Sequence, residues 1–190
     1  MSTGNIPPTS NKGRMRSALL EQLPRGSVCA EIGVWKGDFS QRVLECTQPR
    51  RFHLIDPWRF VPTLPKRWYG GKVAKSQRAM DAIYEGVRAR FKEAPGVTVH
   101  RKTSKDAVRL FVDNAFDWIY LDGDHSYDEV LADLQRWRPK LKLGGFIAGD
   151  DYGWKDESGR ASIKDAVARF RENEKSQLEL IAEGQFLLKF

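Results

Sequence analysis

Five short apolar runs, alternating with stretches of helical periodicity, restrict what this chain can fold into more than any other feature of its sequence. The runs are Ser27-Val-Cys-Ala-Glu-Ile-Gly33, Phe52-His-Leu-Ile-Asp56, Val97-Thr-Val-His100, Phe116-Asp-Trp-Ile-Tyr-Leu-Asp122 and Phe146-Ile-Ala-Gly149. Ahead of them, Met15, Leu19, Leu20 and Leu23 recur at helical spacing, and Pro24 and Gly26 end that helix. Further helices are predicted from about Ser40 to Cys46, Ala74 to Phe91, Ser104 to Val112, Tyr127 to Trp137 and Ile163 to Asn173. Leu178 to Ala182 and Gln185 to Phe190 read as a closing hairpin that turns at Glu183-Gly184. Strands alternating with helices predict a doubly wound α/β fold, its sheet mostly parallel with an antiparallel hairpin at the C-terminal end.

The 190 residues suit one domain. Residues 1–12 read as a disordered tail and 13–190 as the domain, with 58–93 as a lid or substrate-side insertion. With 41% hydrophobic and 30% charged residues the composition is that of a soluble globular protein. No run approaches the roughly 18 apolar residues that a membrane-spanning helix needs. Met1 to Asn11 resemble neither a secretory signal nor a transit peptide, so a cytoplasmic location is expected. Cys29 and Cys46 cannot build a disulfide framework or a zinc site, and both read as buried thiols. The net charge of +7 permits an anionic partner without naming one.

In a doubly wound sheet, ligands bind outside the carboxyl ends of the strands. Polar groups stand at every such end here. After the first strand, Gly33 and Gly37 flank a strand-to-helix turn, where glycine permits positive φ and a close backbone approach. The spacing is G-x-x-x-G, not the G-x-G-x-x-G of dinucleotide binders, and Trp35 stands where a middle glycine would admit a diphosphate. Glu31, just ahead of the loop, disfavours phosphate and favours an ammonium or sulfonium. Asp56 ends the second strand, where a carboxylate binds ribose hydroxyls; otherwise it caps the turn before Pro57. Ser104 stands where a side chain touches an adenine edge, and it also suits an N-cap.

The fourth and fifth ends carry Asp122-Gly-Asp124-His125-Ser-Tyr127 and Asp150-Asp151. Adjacent carboxylates raise each other's pKa unless a cation neutralises them. So many hard oxygen donors suit Mg²⁺, Mn²⁺ or Ca²⁺ better than zinc. The competing reading makes Asp150 and Asp151 caps of the next segment and Asp124 a cap of the helix at Ser126. His125, titrating near neutrality, suits a general base. His53 and His100 lie inside predicted strands and read as structural.

These residues, above all Leu121-Asp-Gly-Asp-His-Ser-Tyr127 and Gly144-Gly-Phe-Ile-Ala-Gly-Asp-Asp151, resemble class I S-adenosylmethionine-dependent methyltransferases. More narrowly, they look like the small-molecule O-methyltransferases related to the macrocin, mycinamicin and catechol enzymes. The resemblance spans about residues 27–190 and implies a Rossmann-like methyltransferase fold. It implies that Gly33, Trp35 and Gly37 cradle the methionine part of S-adenosylmethionine, with Glu31 supporting the loop or the ammonium. Asp56 would hold the ribose and Ser104 the adenine, with Asp122 also on the cofactor side. Asp122, Asp150 and Asp151 would bind Mg²⁺ or Mn²⁺. His125 stands where the catechol group has a catalytic lysine and is assigned as general base, acting with Asp122. Asp124 falls behind these ligands or on the cofactor side.

The acceptor implied is a small molecule with a hydroxyl, such as a sugar or aromatic ring. Trp58, Phe60, Trp68 and Tyr69 would wall it, and Arg59, Lys66, Arg67 and Lys72 favour an acidic one. A nucleic-acid methyltransferase is the first alternative, suggested by a pI near 9.5. The [DNS]-P-P-[YF] motif of base amino-group methylation is missing after the fourth strand, where Asp122-Gly-Asp-His stands, so nucleic acid is not the expected partner. A non-catalytic binding protein on the same fold is the second alternative. Relatives of this kind are often dimers or larger, and a homo-oligomer is an open expectation.

Overall fold

β-branched and aromatic residues dominate the five apolar runs, and each becomes a parallel strand. The computed structural model describes residues 18–181 and 184–190. The expected tail 1–12, residues 14–17 of the helix expected over 14–23, and Ala182 and Glu183 of the hairpin turn lie outside the described residues; 18–20 are helical. Helix α1 (Asp38–Thr47) follows β1 (Val28–Ile32), and α2 (Gln77–Phe91) lies between β2 (Arg51–Asp56) and β3 (Val97–Arg101). Then come α3 (Ser104–Ala107), β4 (Phe116–Leu121), α4 (Tyr127–Trp137), β5 (Leu141–Gly149), α5 (Ser162–Asn173), β6 (Gln177–Ile181) and β7 (Gln185–Lys189).

The seven strands form one sheet in the order β3-β2-β1-β4-β5-β7-β6. The first five are parallel, and β7 runs antiparallel to both β5 and β6. Strand order reverses between β1 and β4, so a crevice opens there at the carboxyl ends. Each face buries its own core. On one face Phe39, Val43, Met80, Val87 and Phe91 of α1 and α2 pack on Cys29, Phe52, Trp118 and Tyr120. On the other, Val130, Leu134, Trp137, Ile163 and Val167 of α4 and α5 pack on Ala30, Ile32, Ile119 and Ile147. Among the described residues no helix is long and apolar enough to cross a membrane.

The structure moves several expected boundaries. Helix α2 starts at Gln77, not Ala74, because Ser76 caps it by accepting from the Ala79 N–H. The helix expected to reach Val112 is α-helical only to Ala107 and then tightens into a 3-10 turn over Val108–Leu110. β5 begins at Leu141, taking in the expected turn, with Gly144 at φ +75°. Pairing with β4 shifts register between Phe116 and Trp118, so these two residues serve opposite cores. Cys29 is buried and its thiol is pushed up by burial, as a small core residue should be, whereas Cys46 is exposed.

Candidate active site

The first wall of the crevice is the turn from β1 into α1. Glu31 is almost fully buried, and the Ser40 hydroxyl in the first turn of α1 donates to its Oε2 at 2.6 Å. This bond ties the start of the helix back to the strand. The loop between them contains three residues in the left-handed region: Gly33 at φ +95°, Trp35 at +54° and Gly37 at +77°. At Gly33 the need is steric as well as torsional. A Cβ there would lie 2.1 Å from the Asp122 carbonyl oxygen, because the loop crosses the end of β4 at the strand reversal. Trp35 has no such licence, and its conformation costs about 1–2 kcal/mol. The surroundings over-determine it: its N–H donates to Asp56 Oδ2 at 3.0 Å and its carbonyl accepts from Trp58 Nε1 at 2.8 Å.

Asp56 is the clasp of this wall. Its Oδ2 accepts from the N–H of Val34 at 3.1 Å and of Trp35, and its Oδ1 from the N–H of Trp58 at 2.7 Å. Burial pushes its carboxyl up, against three N–H groups that favour the charged form. A carboxylate offers about four lone-pair sites, so three bonds leave roughly one for a ligand. Beside it, a cleft of about 350 Å³ opens between the ends of β2 and β3, rimmed by Arg59, Arg101, Lys102 and Thr103.

Ser104 is engaged differently from the sequence expectation. The cap of α3 is Thr103, whose side chain accepts from the Asp106 N–H. The Ser104 hydroxyl donates to Asp133 Oδ1 at 2.6 Å and accepts from Trp137 Nε1 at 2.8 Å, which ties α3 to α4. Its side chain is committed on both sides, because a hydroxyl has a single proton to give.

The second wall joins the loops after β4 and β5. Asp122 N–H donates to the Ile32 carbonyl at 2.8 Å, locking this loop to β1. Asp124 turns its Oδ1 onto the Ser126 N–H at 2.7 Å, a local turn at the entry to α4. His125 bridges the loops: Nδ1 lies 3.0 Å from the Gly123 carbonyl oxygen and Nε2 lies 3.0 Å from Asp151 Oδ2. A carbonyl only accepts, so Nδ1 carries a proton, and a carboxylate opposite Nε2 favours a proton there too. Burial alone would lower the His125 pKa. The Asp151 hydrogen bond and the charges of Asp122 and Asp151 outweigh it and Arg67 opposes them, leaving the imidazole above its ordinary value. Asp151 reaches this position through a left-handed backbone, φ +55°.

Potential ligand atoms of Asp122, His125 and Asp151 lie within 4.8 Å of one another. Among the described residues this is the group of that kind, and Asp150, expected as a third carboxylate ligand, is outside it. Neighbouring residues at a strand end face opposite ways. Asp150 is buried, 6% exposed, and lines a small cavity with Asp122, Asp133 and His125.

The segment between β2 and α2 roofs both walls. Lys66 pairs with Glu157 at 2.9 Å, Tyr69 donates to Asp124 Oδ2 at 3.3 Å, and the Arg67 guanidinium lies 4.7 Å from the Trp154 ring centre. Burial and Asp124 push the Tyr69 phenol up to about 12. Trp154 meets His125 edge-on at 5.3 Å. Sequence reasoning missed Trp154 and Asp133. Asp133 was visible as a polar residue inside the apolar stripe of Val130, Leu134 and Trp137, and Trp154 as an aromatic in an otherwise polar loop.

A sheet of this order, a clasped glycine loop at its reversal point and an acidic loop pair across the crevice define a Rossmann-like methyltransferase. The sequence matches the family model of the methyltransferase domain over residues 30–152. The chain belongs to that methyltransferase family. No curated protein matches it. Among solved structures it is similar to the O-methyltransferase NovP, with 19% identity and a TM-score of 0.62, covering 93% of this chain and 77% of that one. It is similar to an S-adenosylmethionine-dependent methyltransferase from Aquifex aeolicus, with 14% identity, a TM-score of 0.57, and 92% and 87% covered. Fibrillarin from Aeropyrum pernix, in complex with natively bound S-adenosylmethionine, is similar at 11% identity and a TM-score of 0.62, with 92% and 74% covered.

Proposed function

We propose that the protein transfers a methyl group from S-adenosylmethionine to a hydroxyl of a small molecule, assisted by Mg²⁺ or Mn²⁺ at the ends of β4 and β5. The observation that carries this reading is the convergence of Asp122, His125 and Asp151 across the crevice from the clasped glycine loop. When bound, S-adenosylmethionine supplies a methyl group on a sulfonium, open to in-line displacement by an oriented nucleophile. The loop from Gly33 to Gly37 brings bare backbone to the methionine part, and Glu31 fixes the helix start behind it through Ser40. Asp56 would give its remaining lone pair to the ribose. The adenine would lie by Ser104, where the side chain is already committed, so the contact falls to the backbone there.

The donor set fits a hard divalent cation. Two carboxylates completed by water are how proteins hold Mg²⁺, and the imidazole nearby widens the choice toward Mn²⁺. A cation held by Asp122 and Asp151 would supply Lewis-acid chemistry to the acceptor hydroxyl. Its charge would offset those of Asp122 and Asp151, which favour the imidazolium of His125, and a neutral His125 would be able to take a proton at Nε2.

The test is calorimetric titration of S-adenosylhomocysteine with and without Mg²⁺, on the natural protein and on Asp56→Ala. Micromolar binding that Asp56→Ala loses supports the reading; no binding in either condition overturns it. Turnover of small hydroxylated acceptors then separates an enzyme from a binding protein on the same fold. Salt-sensitive binding of RNA with methyl incorporation would shift the assignment to a nucleic-acid enzyme.

A further inference from the structure

We propose that Arg67 forms an anion subsite for the methyl acceptor, so that the acceptor carries a carboxylate or phosphate close to the hydroxyl that is methylated. This rests on the methyl-transfer reading above and names its substrate class. The net charge of the chain is a poor guide to such a site, because most basic side chains on the roof are committed or remote. Lys66 is exposed and neutralised by Glu157. Arg59 lines the other cleft, between β2 and β3. Arg67 differs from both. It is half-buried, and among the described residues its guanidinium has no carboxylate within ion-pair distance and donates no hydrogen bond.

What holds it is the face of Trp154, 4.7 Å from ring centre to guanidinium carbon. A cation–π contact holds a guanidinium without using up its five N–H donors. That contact keeps the guanidinium at the site, with N–H donors suited to the geometry of a carboxylate or phosphate. The position is set by the reacting groups. Trp154 touches His125 at 5.3 Å, and the Arg67 charge acts on both His125 and Tyr69. An anion on these donors therefore sits next to the imidazole and the carboxylate cluster. The cavity beside it is lined by Asp122, Asp124, Asp133 and Asp150 and offers no lysine or arginine, which leaves the charged end on the Arg67 side and turns the rest of the molecule inward. The arrangement selects acceptors by where the charge lies relative to the hydroxyl.

The experiment uses natural protein and Arg67→Gln, first titrated with S-adenosylhomocysteine. The saturated proteins, with Mg²⁺ present, are then titrated with matched probes: catechol against 3,4-dihydroxybenzoate, and glucose against glucose 6-phosphate. The expected result is that an anionic member binds the natural protein about tenfold more tightly than its neutral partner, the scale of one charge-assisted hydrogen bond. In Arg67→Gln the gap closes to about twofold, while affinity for S-adenosylhomocysteine stays within about twofold. Arg67→Lys, a point charge without the guanidinium donors, recovers part of the gap. Equal binding within each pair, binding by no probe, or a gap that survives Arg67→Gln overturns the proposal. A fall in S-adenosylhomocysteine affinity in Arg67→Gln also overturns it, because the guanidinium would then serve the carboxylate of the cofactor. Failure of the natural protein to bind S-adenosylhomocysteine refutes the methyl-transfer reading itself.

Discussion

Gly33→Ala is the most informative single substitution at this site. The added methyl would sit 2.1 Å from the Asp122 carbonyl oxygen, 2.4 Å from its carbon and 2.7 Å from the Gly123 nitrogen. All three are backbone atoms in a loop held by the Asp122 N–H bond to Ile32, so no side-chain rotation relieves the clash. At φ +95° the alanine also carries a conformational cost of about 1–2 kcal/mol. Overpacking adds about 1–3 kcal/mol. For a domain of this size each kcal/mol lowers Tm by about 2–4 °C, so a fall of about 4–20 °C is expected. The displaced loops carry Asp122 and the turn proposed above to hold the cofactor, so affinity for S-adenosylhomocysteine should fall more than tenfold by calorimetry even where the fold survives. Gly86→Ala is the matched control. It lies inside α2 with nothing near its added methyl, and should raise stability by about 0.5–1 kcal/mol. Unchanged melting and unchanged binding in Gly33→Ala would refute the crossing of the two loops at this point.

Three further outcomes are expected. Ser40→Ala removes the 2.6 Å bond to the buried Glu31 and should cost about 2 kcal/mol, read by urea unfolding at pH 7. His53, whose Nδ1 lies 3.0 Å from His100 Nε2, is held down to about 4 by burial, with His100 and Arg51 adding to it. Its folded pKa is below the unfolded one, so the unfolded chain binds the proton more readily. Stability should be fullest above pH 6.5 and fall toward pH 4, by about 1–2 kcal/mol after solvent screening, and His53→Gln should flatten that slope in urea melts across the range. Millimolar Mn²⁺ should raise the Tm of the natural protein and leave that of Asp122→Asn/Asp151→Asn unmoved, because both carboxylate charges are then gone.

The strands and the long helices were legible because their apolar periods are unbroken, and α4 runs from Tyr127 to Trp137 as the stripe predicts. The start of α2 was not, because Ala74 is buried in the core without being helical, and only the Ser76 cap marks where the helix begins. At the site, the sequence picked out strand ends whose polar side chains the structure gathers around the crevice, but not how those side chains pair. Asp56 makes the local turn to the Trp58 N–H that its place before Pro57 suggests, but its bonds to Val34 and Trp35 and those of Ser104 to Asp133 and Trp137 reach 21 to 33 positions away, which no local spacing encodes. The grouping of Asp151 with His125, and not of Asp150, depends on a left-handed residue at Asp151 that propensity gives no reason to expect.

The roof over the crevice has a consequence for turnover. Its root is fixed, with Trp58 fully buried and bonded to Asp56 and Trp35, while Lys66, Arg67 and Tyr69 reach the loops across the crevice through an exposed ion pair, a cation–π contact and a phenol hydrogen bond. Such contacts together stabilise the closed form by about 1–3 kcal/mol. On the methyl-transfer reading, opening of these contacts would let the acceptor come and go while the loop clasped by Asp56 stays in place. Product release through this opening would quicken with added salt, as the Lys66–Glu157 pair is screened.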